Sequence, residues 1–131
     1  VFGAIHHIDL TVSDLARSVA FYAAVLPLLG FQRRTEKATP IWASKQLEIA
    51  LQPARVLTAH DRYSPGLHHL AFAAASREAV DALYGRLTQL NVVVLDAPAE
   101  YPKYASPYYA VFFADPDGLK LELVFSPLVS V

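Results

Sequence analysis

Two short stretches of this chain repeat one another, and the repeat limits what it can fold into. Residues 5–10 read Ile-His-His-Ile-Asp-Leu, and residues 67–72 read Leu-His-His-Leu-Ala-Phe. From His7 to His69 the offset is 62 positions in a chain of 131 residues, close to half its length. Each copy runs into a segment with helical spacing and then into several strand-like segments. Such self-similarity marks a duplicated supersecondary unit. The expected organisation is one domain over residues 1–131, with module 1 at about 5–52, a linker at 53–66 and module 2 at about 67–126.

Within each module the strands alternate. Ile8, Leu10 and Val12 alternate with His7, Asp9 and Thr11, which gives one apolar and one polar face. Ser13 or Asp14 suits the N-cap of a helix whose stripe is Leu15, Val19, Tyr22 and Leu26. That helix should end before Pro27. Gly30 then turns the chain into a strand over 31–36. A hairpin follows, with arms at 41–44 and 46–52.

Module 2 repeats the plan. A strand over 67–74 leads to Ser76 as the cap of a helix over 77–90, with Asn91 as its left-handed stop. A short strand over 92–95, a loop over 96–107, an aromatic strand over 108–114 and a last strand over 119–125 complete it. Asp115-Pro116-Asp117-Gly118 is a turn in which both aspartates are ordinary turn residues. Strands dominate, and each helix can cover one face of its sheet, so the class is α+β.

Composition excludes several functions. The net charge is −1 and the basic residues are scattered, which argues against a nucleic-acid surface. There are no cysteines, so disulfides and thiolate metal sites are ruled out. No apolar run is long enough for a membrane span, and no secretory signal pattern opens the chain, which makes the cytoplasm the default expectation. Hydrophobic residues make up 54% of the chain, an excess that an apolar homodimer interface would absorb.

Four residues with ligand chemistry stand in comparable places. His7 and His69 lie on the opening strands of the two modules, and Glu48 and Glu122 lie on the closing strands. Their alternate neighbours are apolar, so all four should project from the faces that the helices leave uncovered. Two imidazoles and two carboxylates suit Zn, Ni, Mn or Fe. His6 and His68 fall on the opposite strand face by alternation and read as structural. Tyr101, Tyr104, Tyr108 and Tyr109 are either a pocket lid or packing aromatics, with Tyr109 the better pocket candidate. His60, Asp61 and Arg62 read as linker surface.

Three motifs carry a family resemblance. They are His7-Ile8-Asp9-Leu10-Thr11-Val12-Ser13-Asp14-Leu15 with Phe21-Tyr22, the stretch from Gly66 to Phe72, and Phe113-Ala114-Asp115-Pro116-Asp117-Gly118-Leu119-Lys120-Leu121-Glu122-Leu123. Together they resemble the vicinal oxygen chelate superfamily, which includes glyoxalase I, fosfomycin-resistance and bleomycin-resistance proteins and extradiol dioxygenases. The resemblance implies two tandem βαβββ modules forming a cupped, mostly antiparallel sheet with helices on its outer face. It also implies His7, His69 and Glu122 as metal ligands, with Glu48 at the position of a fourth.

The activity implied is that of a glyoxalase-type isomerase or lyase. A divalent ion chelates neighbouring oxygens of a small-molecule substrate and stabilises developing negative charge. Glu48 or Glu122 moves a proton on the adjacent carbon. Thr11 stands where glutathione-dependent glyoxalase I has an arginine that holds glutathione, which argues against a glutathione hemithioacetal and makes Thr11 a substrate-pocket candidate. Two other readings are a ring-cleaving Fe(II) dioxygenase and a non-catalytic binder of the bleomycin-resistance type. Fosfomycin thiol transfer is less favoured, since only Lys120 near Glu122 offers a cation for a phosphonate.

Overall fold

The computed structural model describes residues 3–127. The chain divides into two compact units, one ending at Ala59 and one starting at His60. The division falls inside the expected linker. Each unit holds one helix on one four-stranded mixed sheet, which is the expected α+β class built from two βαβββ modules. Among the described residues no helix is long and apolar enough to cross a membrane.

In the first unit β1 (His7–Val12) is followed by α1 (Leu15–Val25), β2 (Gln32–Arg33), β3 (Ile41–Ala43) and β4 (Glu48–Pro53). The sheet order is β1-β4-β3-β2. β1 runs parallel to β4, while β3 pairs antiparallel with both β4 and β2. Asp14 caps α1, its carboxylate accepting from the Arg17 N–H at 3.0 Å. Pro27 opens a single 3-10 turn over 26–29, so the α-helix stops at Val25, as a proline in its path requires. Gly30 closes that turn at φ 86°, a conformation an L side chain resists.

Leu10, Val12, Tyr22, Val25, Trp42, Ile49 and Leu51 are buried and form the core of this unit. β2 is shorter than the expected 31–36. Its partner β3 is only three residues long, and the ladder ends once Gln32 has met Ala43 and Arg33 has met Trp42.

The second unit contains β5 (His69–Ala73), α2 (Arg77–Gln89), β6 (Val94–Glu100), β7 (Tyr109–Ala114) and β8 (Lys120–Phe125), with sheet order β5-β8-β7-β6. The topology matches the first unit strand for strand. Ser76 caps α2 by accepting from the Ala79 N–H at 3.1 Å, and Asn91 takes the left-handed φ of 56° that ends it. Val80, Leu83 and Leu87 are buried on the face that α2 turns inward, and α2 packs on β6, β7 and β8.

One segment departs from the sequence reading. Residues 96–100, expected in a loop, belong to β6 despite Pro98. β6 is the edge strand, and its register slips between Val94 and Asp96 and again between Asp96 and Ala99. An edge with bulges tolerates a proline that a central strand would not.

Candidate functional site

The alternation expected of β1 holds. His7, Asp9 and Thr11 are exposed, while Leu10 and Val12 are buried. His7 lies directly opposite Glu48 in the parallel register, so both side chains leave the same face of adjacent strands. Glu48 is not idle there. The Arg34 guanidinium, on the residue after β2, donates to its Oε1 at 2.6 Å and also pairs with Glu36. Both carboxylates hold the Arg34 pKa above its ordinary value, with the Glu36 hydrogen bond the largest cause. Thr11 stands opposite Gln52 and is exposed.

In the second unit the donors sit on a diagonal. His69 pairs with Lys120 and Ala71 pairs with Glu122, so His69 and Glu122 are two positions apart on one face. Their side chains nevertheless meet, with Nε2 of His69 3.1 Å from Oε2 of Glu122. The Glu122 side chain is 1% exposed, whereas that of His69 is 36% exposed. Oε1 of Glu122 accepts a 2.5 Å hydrogen bond from the Tyr108 hydroxyl. Oε2 has no hydrogen-bond partner. The His69 approach to it is close but badly directed.

Burial, together with the bond to Glu122, pushes the Tyr108 hydroxyl well above the ordinary tyrosine range. Tyr108 also meets Tyr101 and Tyr104 edge-on, and Tyr101 meets Phe112 edge-on at 5.4 Å.

Tyr109, expected in the substrate pocket, faces the other way. Its hydroxyl donates to Asp81 of α2 at 2.6 Å, and the Arg77 guanidinium lies 5.9 Å from its ring centroid. Alternation explains the correction. Phe112 stands opposite Glu122, so Ala110 and Tyr108 share the Glu122 face, while Tyr109, Val111 and Phe113 share the helix face. The tyrosine next to the candidate ligand is Tyr108.

A second correction concerns His6 and His68. Both precede their strands, and neither ring lies on the far face. Nδ1 of His6 is 2.9 Å from Nδ1 of His7, and Nδ1 of His68 is 2.7 Å from Nδ1 of His69. The repeat therefore extends to side-chain contacts. In each pair one ring must donate and the other accept. Desolvation first, then the neighbouring His69, Lys120 and Arg62, lowers the His68 pKa, which suits it as a neutral acceptor.

Asp115 behaves as the turn residue it was expected to be. It is buried, and its Oδ1 accepts from the N–H groups of Asp117 and Leu119, each at 2.9 Å.

These donors can be tested against a divalent ion. Zinc-type ligands sit about 2.0–2.2 Å from the metal, so two at a near-right angle lie about 3 Å apart. His69 Nε2 and Glu122 Oε2 have that separation, and a buried carboxylate oxygen without a hydrogen bond is a site that a cation satisfies. The pair fits. Within either unit, among the described residues, no group of three or more His, Asp or Glu side chains gathers as a metal site. Each unit carries one histidine and one glutamate of the four candidate ligands.

Comparison with known proteins agrees with this architecture. Residues 4–123 match the family model of the Glyoxalase/Bleomycin resistance protein/Dioxygenase superfamily. The chain is 34% identical to the uncharacterized protein YqjT of Bacillus subtilis (strain 168), over 91% of this chain and 96% of that one. It is 31% identical to Metallothiol transferase FosB of Lysinibacillus sphaericus (strain C3-41), over 91% of this chain and 79% of the relative. The crystal structure of a candidate glyoxalase from Bacillus halodurans superposes with a TM-score of 0.80 at 28% identity, covering 95% of this chain and 96% of that one. A duplicated βαβββ fold with a histidine opening each module, matched by a family model across nearly its whole length, leads to one conclusion: this chain belongs to the Glyoxalase/Bleomycin resistance protein/Dioxygenase superfamily.

Proposed function

We propose that the chain is a divalent-metal-dependent enzyme of the glyoxalase type, acting on a small molecule that offers two neighbouring oxygens. The observation that carries this reading is Glu122, a fully buried carboxylate whose Oε2 lacks a hydrogen bond while His69 Nε2 stands 3.1 Å away. A pair of donors is half of a coordination shell, and the family pattern assigns the other half to His7 and Glu48. The ion would be Zn, Ni, Mn or Fe, and when bound it supplies Lewis acidity to the chelated oxygens.

The chain's own residues divide the remaining work. Glu122 is fixed by Tyr108 and buried, so it stays in place. Glu48 is a third exposed and has a partner in Arg34 to return to, so it is the carboxylate free to take and return a substrate proton. Thr11 leaves the glutathione carboxylates without the arginine that glyoxalase I provides, so the substrate is a different vicinal-oxygen compound. The protein works as a homodimer, and the exposed linker residues Val56, Leu57 and Tyr63, with Leu67 just after them, supply apolar surface for a partner.

A second reading is supported by the Lysinibacillus sphaericus metallothiol transferase relative. In that reading Arg34 keeps Glu48, and the ligands that the family resemblance implies are His7, His69 and Glu122.

The test is metal content followed by one variant. Protein purified without chelator should hold close to one equivalent of a divalent ion per chain by elemental analysis. No bound metal, even after reconstitution, refutes both readings. Glu48→Gln then separates them: proton transfer on a vicinal-oxygen substrate is lost in the first, and thiol transfer survives in the second.

A further inference from the structure

Tyr108 stands in direct contact with the candidate ligand Glu122, and the metal reading above uses it only to hold that side chain in place. Its hydroxyl donates to Oε1 at 2.5 Å, which leaves Oε2 alone facing His69 Nε2. We propose that Tyr108 is a positioning residue that makes Glu122 a one-oxygen ligand and so keeps a coordination position open for substrate. This inference rests on the metal-dependent reading.

Three observations support it. First, the hydroxyl has no freedom to drift. The Tyr101 N–H donates to the Tyr108 carbonyl at 2.8 Å, and the ring meets Tyr104 edge-on at 5.3 Å and Tyr101 at 6.3 Å. Tyr101 in turn stacks on Tyr104 at 5.6 Å. Second, the division of labour within the carboxylate is complete. One oxygen accepts a short bond and the other has no hydrogen bond, although the side chain is buried. A carboxylate placed only for packing would have both oxygens satisfied. Third, a free carboxylate beside an ion can bind through one oxygen or two. A donor fixed on Oε1 draws charge from that oxygen and occupies one of its two lone pairs, which disfavours the second mode and leaves Oε2 the better ligand atom.

Partners that hold a ligand from behind are worth about 10–100-fold in metal affinity. The experiment compares wild type, Tyr108→Phe and Tyr104→Phe, each loaded with Co(II). The dissociation constant is measured by competition with a chromogenic chelator, and the visible spectrum of the bound ion is recorded. Metal-free thermal melts establish that all three are folded, since each variant keeps its ring. Tyr108→Phe should weaken Co(II) binding by about 10–100-fold and change the intensity of the visible bands as the second oxygen becomes available. Tyr104→Phe, in the same cluster but not bonded to Glu122, should bind within about twofold of wild type.

An unchanged affinity or an unchanged spectrum in Tyr108→Phe overturns the proposal, as does an equal loss in Tyr104→Phe. If wild type itself binds no Co(II), the metal-dependent reading has failed and this one falls with it. If wild type binds and Tyr108→Phe matches it, only the positioning role is lost.

Discussion

Replacing Glu122 with glutamine should make the metal-free protein more stable and the metal-loaded protein less so. The carboxylate is buried, and one of its oxygens has no hydrogen bond. Leaving a buried polar group unsatisfied costs about 1–3 kcal/mol, and more when it is charged. Glutamine removes the charge and keeps an oxygen for the Tyr108 hydroxyl. That bond falls from charge-assisted to neutral strength, a loss of about 1 kcal/mol. The amide nitrogen takes the place of Oε2, and a neutral N–H there costs less to bury than an unpaired carboxylate oxygen. The balance is a gain of about 1–2 kcal/mol. At this chain length about 3 °C accompanies each kcal/mol, so the metal-free melting temperature should rise by about 3–6 °C.

With metal at a thousand times its dissociation constant, wild type alone gains about 4 kcal/mol from binding. The order of the two melting temperatures should then reverse. Differential scanning calorimetry at pH 8, with chelator and then with Zn(II), reads both halves. A metal-free Glu122→Gln protein that melts at or below wild type would refute the argument. It would mean that the lone oxygen carries no penalty and that Glu122 is an ordinary buried acid.

Three further outcomes are expected. Arg34→Gln releases Glu48 from a partly exposed ion pair, so stability should change by less than about 1 kcal/mol while metal binding measured by calorimetric titration tightens; weaker binding would show that Arg34 aligns Glu48 and does not compete for it. Ser76→Ala removes the side-chain acceptor at the start of α2 and should cost about 1 kcal/mol, read as a fall of about 3 °C in melting temperature. In metal-free protein Tyr108 should ionise above the ordinary tyrosine range in an ultraviolet pH titration that Tyr108→Phe simplifies, because burial and the Glu122 carboxylate both raise its pKa. Its raised pKa means that its stabilising contribution is full below the ordinary tyrosine value of about 10 and is lost as pH rises through the folded value; Tyr108→Phe should therefore lack that alkaline loss.

Much of this architecture was legible because its signals are local. The repeat fixed the number of modules. Period-2 alternation put His7 with Asp9 and Thr11, and Glu122 with Lys120 and Val124, away from the helices. Ser76, Asn91 and the Asp115–Gly118 turn announced themselves by residue type. The Tyr108 assignment was also within reach. The turn pairs Ala114 with Lys120, and counting back two residues on each strand pairs Phe112 with Glu122. That count puts Tyr108 on the ligand face and Tyr109 on the helix face. What alternation could not supply was register between strands distant in sequence. The Arg34–Glu48 pair needs β2 against β3 and β3 against β4, and the diagonal from His69 to Glu122 needs the parallel pairing of β5 with β8. Those offsets are set by tertiary packing, which no single strand encodes.

The same offsets make the two repeats chemically unequal. In the first unit histidine and glutamate stand directly opposite, exposed enough for a guanidinium to reach the carboxylate and neutralise it. In the second unit the diagonal places the carboxylate under an aromatic cluster, where among the described residues Oε2 has no hydrogen bond and a tyrosine donates to Oε1. Low local dielectric strengthens any charge placed at Glu122, while water and Arg34 weaken any charge interaction at Glu48. Here the buried glutamate is held by Tyr108 with its second oxygen turned to His69, and the exposed one is paired with Arg34. Glu48 is thus the mobile carboxylate and Glu122 the fixed one, and that difference follows from strand register more than from the identity of either residue.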